Sequence, residues 1–390
     1  MKILWHSNAP WVRTGYGVQT KIAIEELQRI GHEIAVSSFW GIQGATLNAP
    51  GGFLVLPGAV DSYGNDVIAA HWKFTESDLV ISLVDAWVLT HDSWSMIPWA
   101  AWTPIDHQTV PKHVSDALIA GNAIPIAMSQ FGRQALIEAG LEPLYVPHSI
   151  DPVFLEAVPD RKEIREGYHW DDNFVIGMVA ANKGHVPSRK SFPQVFEAFA
   201  EFHSKYPESM LYVHAETDPS GGLDLLAMRE TMKIPEDAIL FVDEYRNILG
   251  MGADTMRNTY AAFDVLANPA MGEGFGVPII EAQAVGTPVI VSDSTAMPEL
   301  CRHGKIVGGI PFYTNQAAFQ LMPNVGEIYD AFEWAYGEER AEKSDDAREW
   351  VLENYSPEVV TSKWWIPTLE AIMERLKGRT FGYDEELHTM

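Results

Sequence analysis

Two glutamates, Glu273 and Glu281, stand with seven residues between them in the stretch EGFGVPIIEAQAVGTPV (273–289). Carboxylates are good acceptors for paired hydroxyls and poor ligands for phosphate. Between the acids, Gly274 and Gly276 let a ligand approach the backbone closely. Pro278 suits the first turn of a helix, where its missing N–H is not needed, and Gly286 suits the helix end. The first-turn amides of such a helix are unpaired and its dipole favours an anion there, a phosphate-cradling geometry. Hydroxyl acceptors on both sides of a phosphate cradle point to a nucleotide sugar. The same letters also spell an ordinary glycine-rich strand–helix turn with acids near the helix start.

Two further pairs have chemical potential. Arg189 and Lys190 precede the helical stretch SFPQVFEAFAEFHSKY, and cations at a helix start oppose its dipole unless an anion joins them. A plain surface pair in a Ser-Arg-Lys loop fits equally. Asp106 and His107 end the strand-like run WAAWTPIDH, where an acid–histidine pair can also be a local hydrogen bond. Asp85, with Trp87 after it, is another acid at a strand end.

Positioning these groups requires strands that stop at loops. Short continuous apolar runs at 2–7, 33–39, 79–85, 123–129 and 144–149 form one series of predicted strands. Runs at 174–180, 211–216, 239–244, 263–269 and 288–293 form a second. Continuous rather than alternating apolar character fits parallel strands covered on both faces. Helical stretches lie between them; one places Phe192, Val195, Phe196, Phe199 and Phe202 on a single stripe. Strand–helix alternation throughout predicts an α/β architecture of doubly wound sheets. It pauses in the polar stretch 147–173, which reads as a linker between two such domains. The expected division is residues 1–150, 151–355, and a C-terminal helix and tail from 356 to 390. In such sheets ligands sit beyond the carboxyl ends of the strands.

The 390 residues carry 27 Lys and Arg against 53 Asp and Glu, a formal net charge of −26. That field repels nucleic acid and anionic membranes on average. Acids gather in 333–353, which reads as a solvated helical face. Cys301 is the single cysteine, so no intrachain disulfide forms. No apolar run reaches the length of a membrane-spanning helix, and the start MKILWHSNAPW reads as a first strand rather than a signal peptide. The expected location is cytoplasmic.

The 273–289 stretch resembles the donor-site motif of retaining GT-B glycosyltransferases, the large family of sucrose-synthase and bacterial mannosyltransferase type (glycosyltransferase family four). Glu273, Glu281, Gly286, Pro288 and Val289 match its E-x7-E and G-x-P-V pattern. TGYGVQTKIAIEELQRIGHEIAV resembles the family's N-terminal glycine loop and first helix, with Gly15 and Gly17 near the donor phosphates. VPHSIDPVF is similar to the family's domain-junction segment, with His148 and Ser149 replacing the usual Asn-Gly. SRKSFPQVFEAFA resembles its R-K segment, and STAMPEL its closing segment with Glu299.

The resemblance implies a GT-B fold of two Rossmann-like domains facing across a cleft. It implies that Glu273 and the loop Gly274, Phe275, Gly276 and Val277 hold the donor hexose, while Glu281 holds the ribose. Arg189 and Lys190 would neutralise the donor diphosphate, and His107, with Asp106 second, would face the anomeric carbon. The implied reaction is retaining, metal-independent transfer of a hexose from a UDP- or GDP-sugar to a hydroxyl of a small molecule, glycan or protein. The leaving diphosphate takes the acceptor's proton, so no separate nucleophile–base pair is needed. No D-x-D and no H-E-x-x-H occurs, so no metal and no cofactor beyond the nucleotide sugar are expected. Other readings are transfer to a modified base in DNA, a GT-B nucleotide-sugar epimerase, and a non-catalytic nucleotide-sugar binding module. The acceptor and the oligomeric state are open.

Overall fold

The computed structural model describes residues 1–89, 92–158, 160–184, 186–337 and 344–382. Residues 338–343 of the acidic stretch, and 383–390 of the expected tail, lie outside them. The chain divides into two compact units. One comprises residues 1–105, 109–149 and 357–390; the other comprises 106–108 and 150–356.

The first unit is built on an eight-stranded sheet. Its strands are β1 (Lys2–Asn8), β2 (Glu33–Trp40), β3 (Leu47–Asn48), β4 (Leu54–Pro57), β5 (Leu79–Leu83), β6 (Trp99–Thr103), β7 (Ile124–Ala127) and β8 (Leu144–Tyr145). Their order is β3-β4-β2-β1-β5-β6-β7-β8, parallel except for β3 against β4. Strands β5, β6 and β7 are buried along their whole length, as continuous apolar runs require. The strand expected to run to Asp106 stops at Thr103, because Pro104 follows and a proline cannot donate to the ladder.

The C-terminal segment belongs to this unit. It runs as Pro357–Val360, a π-helical turn Thr361–Trp365 and the helix Ile366–Leu376. Trp365 is buried edge-on against Trp5 and Trp102, at 5.7 and 5.0 Å between ring centroids. Both partner indoles find acceptors, Trp5 in Thr20 and Trp102 in the Val146 carbonyl, as buried indole N–H groups demand.

The second unit holds six parallel strands: β9 (Phe174–Val179), β10 (Ser209–His214), β11 (Ile239–Phe241), β12 (Val265–Asn268), β13 (Val289–Ser292) and β14 (Gly304–Val307). Their order is β11-β10-β9-β12-β13-β14. An antiparallel hairpin follows, β15 (Gly309–Tyr313) and β16 (Phe319–Pro323). The helix Phe192–Lys205 lays the expected stripe on the sheet: Phe192, Val195, Phe196, Phe199 and Phe202 are fully buried. Burying each is worth roughly 1.5–3 kcal/mol.

The stretch read as a linker is folded into this unit from Ile150 onward. Its helix Arg161–Tyr168 sends Arg161 and Arg165 to the Asp264 carboxylate, which also accepts the Val175 amide at 2.7 Å. Arg165 additionally donates to the carbonyls of Ala262 and Asn173, at 2.9 and 3.0 Å. The polar composition that suggested a linker is thus the ion-pair edge of a domain.

Candidate active site

In the second unit the chain winds from β9 outward to β10 and β11, and from β12 in the other direction to β13 and β14. The loops after β9 and β12 therefore diverge, and a crevice forms at that switch point. The β9 loop carries Arg189 and Lys190; the β12 loop carries Glu273. The loops are tied together, since Met271 N–H donates to the Arg189 carbonyl at 2.7 Å. Ser294 Oγ and the Leu321 amide both donate to the Met271 carbonyl, at 3.0 Å each.

Glu273 is the centre of the cluster. Its carboxylate accepts from Lys190 Nζ and, at 3.1 Å, from Arg189 Nη1, which also donates to the Gly272 carbonyl at 2.6 Å. Thr295 Oγ1 accepts the Glu273 amide at 2.8 Å. Burial pushes the Glu273 carboxyl up, but the charges of Lys190 and Arg189 and their hydrogen bonds outweigh it, and the group is held below the usual carboxylate range. Burial lowers Lys190; Glu273 opposes this, Arg189 adds to it, and the net direction is down.

Arg189 Nε lies 3.7 Å from Asp106 Oδ2, and His107 Nδ1 donates to Asp106 Oδ1 at 2.7 Å. Although burial pushes Asp106 up, the His107 hydrogen bond and the charges of Arg189, His107 and Lys190 bring it below its ordinary value. The segment is fixed by bonds within this unit: Gln320 Nε2 donates to the Asp106 carbonyl at 3.0 Å, and the Gln108 amide to the Phe319 carbonyl at 2.8 Å. The expectation set this pair at a strand end of the first domain, with His107 facing the anomeric carbon and Asp106 second. Instead the segment groups with the second unit, and the His107 side chain is 2% exposed, with Nε2 lying 3.1 Å from Thr314 Oγ1. Asp106 keeps 24% of its side chain exposed, so it is the more accessible of the two.

The glycine loop ends as its letters indicate. Gly276 adopts φ +114°, a left-handed conformation that favours glycine, and the helix Val277–Ala284 follows with Pro278 in its first turn and no side-chain cap. Phe275 turns its ring into the interior, 5.7 Å from Tyr355, so any ligand contact it makes is through its backbone. Glu281 sits in a different environment from Glu273. Tyr260 Oη donates to it at 2.9 Å, and Tyr260 is itself fully buried. Burial raises the Glu281 carboxyl; the Tyr260 hydrogen bond opposes this, Asp151 adds to it, and the result is about 7.

Gly15 and Gly17 belong to the first unit, at the start of the helix Gly15–Arg29. Thr14 caps that helix by accepting the Gly17 amide at 3.1 Å, and Asn8 Nδ2 donates to Thr14 at 2.7 Å. A Cβ on Gly17 would meet the Val12 carbonyl oxygen at 2.0 Å, whereas at Gly15 it would enter open space. Gly17 is therefore required by the turn, and Gly15 is the one with room beside it. Tyr16 Oη donates to Asp85 at 2.9 Å, and Trp87 is 41% exposed. At the junction, Gln19 accepts the Ser149 amide at 3.0 Å and donates to its carbonyl at 2.7 Å, while His148 is buried 4.5 Å from the Trp102 ring.

The sequence offered no distinct signal for Tyr260, Thr295, Thr314 or Gln320. Each is an ordinary polar residue whose role exists through contact with a distant segment. Only Thr295 fell inside a noted motif, STAMPEL.

Residues 181–328, which span Arg189, Lys190, Glu273 and Glu281, match the glycosyl transferases group 1 family. Among curated proteins, the chain is 30% identical to D-inositol 3-phosphate glycosyltransferase of Rhodococcus jostii over 122 residues, 31% of this chain and 26% of that protein. It is 27% identical to alpha-monoglucosyldiacylglycerol synthase of Acholeplasma laidlawii over 194 residues, 49% of this chain and 43% of that one. The matches thus span a quarter to under half of the length of these relatives. Two solved structures share the fold over nearly the whole chain. Anabaena HepE in complex with UDP-glucose superposes with a TM-score of 0.65 at 16% identity, covering 95% of this chain and 100% of that one. Sucrose-phosphate synthase from Thermosynechococcus elongatus does so with a TM-score of 0.71 at 14% identity, covering 96% and 100%. Residues 181–328 are thus similar to the glycosyl transferases group 1 family, and the chain has a GT-B fold of two Rossmann-like domains.

Proposed function

We propose that this protein is a retaining glycosyltransferase that moves a hexose from a nucleoside-diphosphate sugar to a hydroxyl acceptor without a metal ion. The observation that carries the reading is the Lys190–Glu273–Arg189–Asp106 cluster at the switch point, beside the uncapped start of helix Val277–Ala284. Two cations held in a partly buried site, next to unpaired helix amides, suit a departing diphosphate. Such groups are already oriented, so little reorganisation accompanies charge development. Arg189 has the more exposed side chain of the two cations, 37% against 17% for Lys190, and is placed to meet the phosphate first.

In this reading Glu273 orients the cations and accepts from a hexose hydroxyl. Glu281 accepts from the ribose, and Asp106 lies toward the sugar with His107 bracing it from behind. In the first unit's glycine loop, Gly17 keeps the turn and Gly15 has open space beside it. The leaving diphosphate takes the acceptor proton, and the side chains orient and stabilise charge.

A thermal-shift screen of UDP- and GDP-sugars tests donor binding, because a ligand specific for the folded state raises Tm by mass action. Incubation of the stabilising donor with candidate hydroxyl acceptors, followed by NMR of the product's anomeric configuration, tests transfer and retention. A donor that binds and is only epimerised, or is never consumed with any acceptor, refutes the transferase reading.

A further inference from the structure

The first unit carries an open surface pocket of about 340 Å³, with Gln130, Arg133 and Lys363 exposed along it, which the active-site cluster does not use. Gln130, Arg133, Tyr145, Lys363, Trp364 and Thr368 line it, and its remaining lining residues are apolar. The volume falls in the usual range for small-molecule sites, roughly 300–1,000 Å³. Although the chain has 53 acids against 27 bases, the lining has two cations and no acid. Neither Arg133 nor Lys363 takes part in an ion pair among the described residues. In so acidic a chain, cations not matched by a carboxylate form a local positive field.

The remaining walls are aromatic. Trp364 stands edge-on to Tyr145, with ring centroids 4.7 Å apart and an interplanar angle of 86°. Lys363 Nζ lies 5.3 Å from the Trp364 ring centre, which holds the ammonium at the pocket while leaving it a net charge. Both residues come from the π-helical turn Thr361–Trp365, a rare local geometry that recurs at functional sites. Gln130 is the first residue of the nine-residue helix Gln130–Glu138, so that helix's dipole adds to the positive field.

We infer that this pocket binds a small ring-bearing anion: a phosphate or carboxylate carried on a sugar-sized ring. The Arg133 guanidinium presents a fork of donors that matches either oxyanion, and Lys363 supplies a second point charge. Trp364, Tyr145 and the apolar lining cover the ring. Thr368 Oγ1 donates to the Tyr145 carbonyl at 3.5 Å and keeps its lone pairs for a ring hydroxyl.

Calorimetric titration of the full chain with glucose 6-phosphate, glucuronate and glucose tests this. At least one of the two anions should bind saturably and glucose should not, with the stronger anion identifying phosphate or carboxylate as the preferred group. Affinity should fall as salt rises, because the recognition is ionic and partly solvent-exposed. The double variant Arg133→Gln, Lys363→Gln should weaken binding of that anion by about tenfold or more, the scale of losing charge-assisted bonds. Its affinity for nucleoside diphosphate should stay unchanged, which also shows that the variant is folded. No saturable binding of either anion up to about 10 mM, the edge of measurable affinity, would overturn the proposal. So would equal binding of glucose, or undiminished anion binding by the double variant.

Discussion

Substituting Tyr260→Phe removes the one hydrogen bond that Tyr260 Oη makes to Glu281, at 2.9 Å, and keeps the buried ring. A hydrogen bond to a charged acceptor is worth roughly 1.5–3 kcal/mol. At 1.36 kcal/mol per pH unit, its loss raises the Glu281 carboxyl by roughly one to two units above its value of about 7. At pH 7 the wild-type group is about half ionised; in the variant the ionised fraction falls to roughly 1–10%. If only the carboxylate accepts from the ribose hydroxyls, apparent affinity falls with that fraction, by roughly 5- to 50-fold. The measurement is calorimetry of nucleoside diphosphate binding between pH 6 and 9.5. Wild-type affinity should rise through pH 7, and the variant's rise should come one to two units later, recovering most of the loss at the alkaline end. A loss of the same size at every pH would refute the reasoning, since it would mean that Tyr260 acts through packing. Stability reports the same group independently. The folded value lies above the ordinary 4.5, so the unfolded chain ionises first as pH rises. Glu281 therefore withdraws stability progressively between about pH 4.5 and 7, by about 3 kcal/mol in all. Glu281→Gln should abolish that slope.

Three other outcomes are expected. Glu273→Gln should leave nucleoside diphosphate affinity intact or tighter, because Lys190 and Arg189 lose a competing carboxylate, while turnover falls about tenfold or more, at least roughly 1.4 kcal/mol of transition-state stabilisation; equal losses in both would remove the division of roles between the two glutamates. Activity should survive EDTA, because the cations of Arg189 and Lys190 are assigned the charge of the leaving diphosphate; complete loss that magnesium restores would contradict this. Arg165→Met should lower unfolding free energy by roughly 1.5–3 kcal/mol, since Arg165 pairs with the partly buried Asp264, which keeps Arg161 as a partner, and donates to two backbone carbonyls; urea denaturation that shows less than about 1 kcal/mol would make the pair a surface contact.

The sequence alone determined the repeating units. Continuous apolar runs marked most of the central strands, because a parallel strand covered on both faces leaves the same trace wherever it lies in the chain. The Phe192–Phe202 stripe and the glycine–proline punctuation around Glu273 and Glu281 were legible for the same reason: both obey rules that act within a few residues. Short strands such as β4 and β14, and the β15–β16 hairpin, were not read, since four or five residues with partly exposed positions carry too little pattern to distinguish. The polar 147–173 stretch contains the passage between the two units at 149–150, but its letters did not show that its charges pair with Asp264, because a charge facing solvent and a charge facing Asp264 look the same. Pairing was decided only in three dimensions. Glu273 is joined to Lys190 across 83 residues, and His107 to Thr314 across 207. Burial raises both glutamates of one motif, but the charges of Lys190 and Arg189 turn Glu273 downward, while at Glu281 burial and Asp151 outweigh the Tyr260 hydrogen bond and the shift stays upward. A carboxyl's proton affinity depends on what the folded chain brings within a few ångströms, and that neighbourhood is not local in sequence.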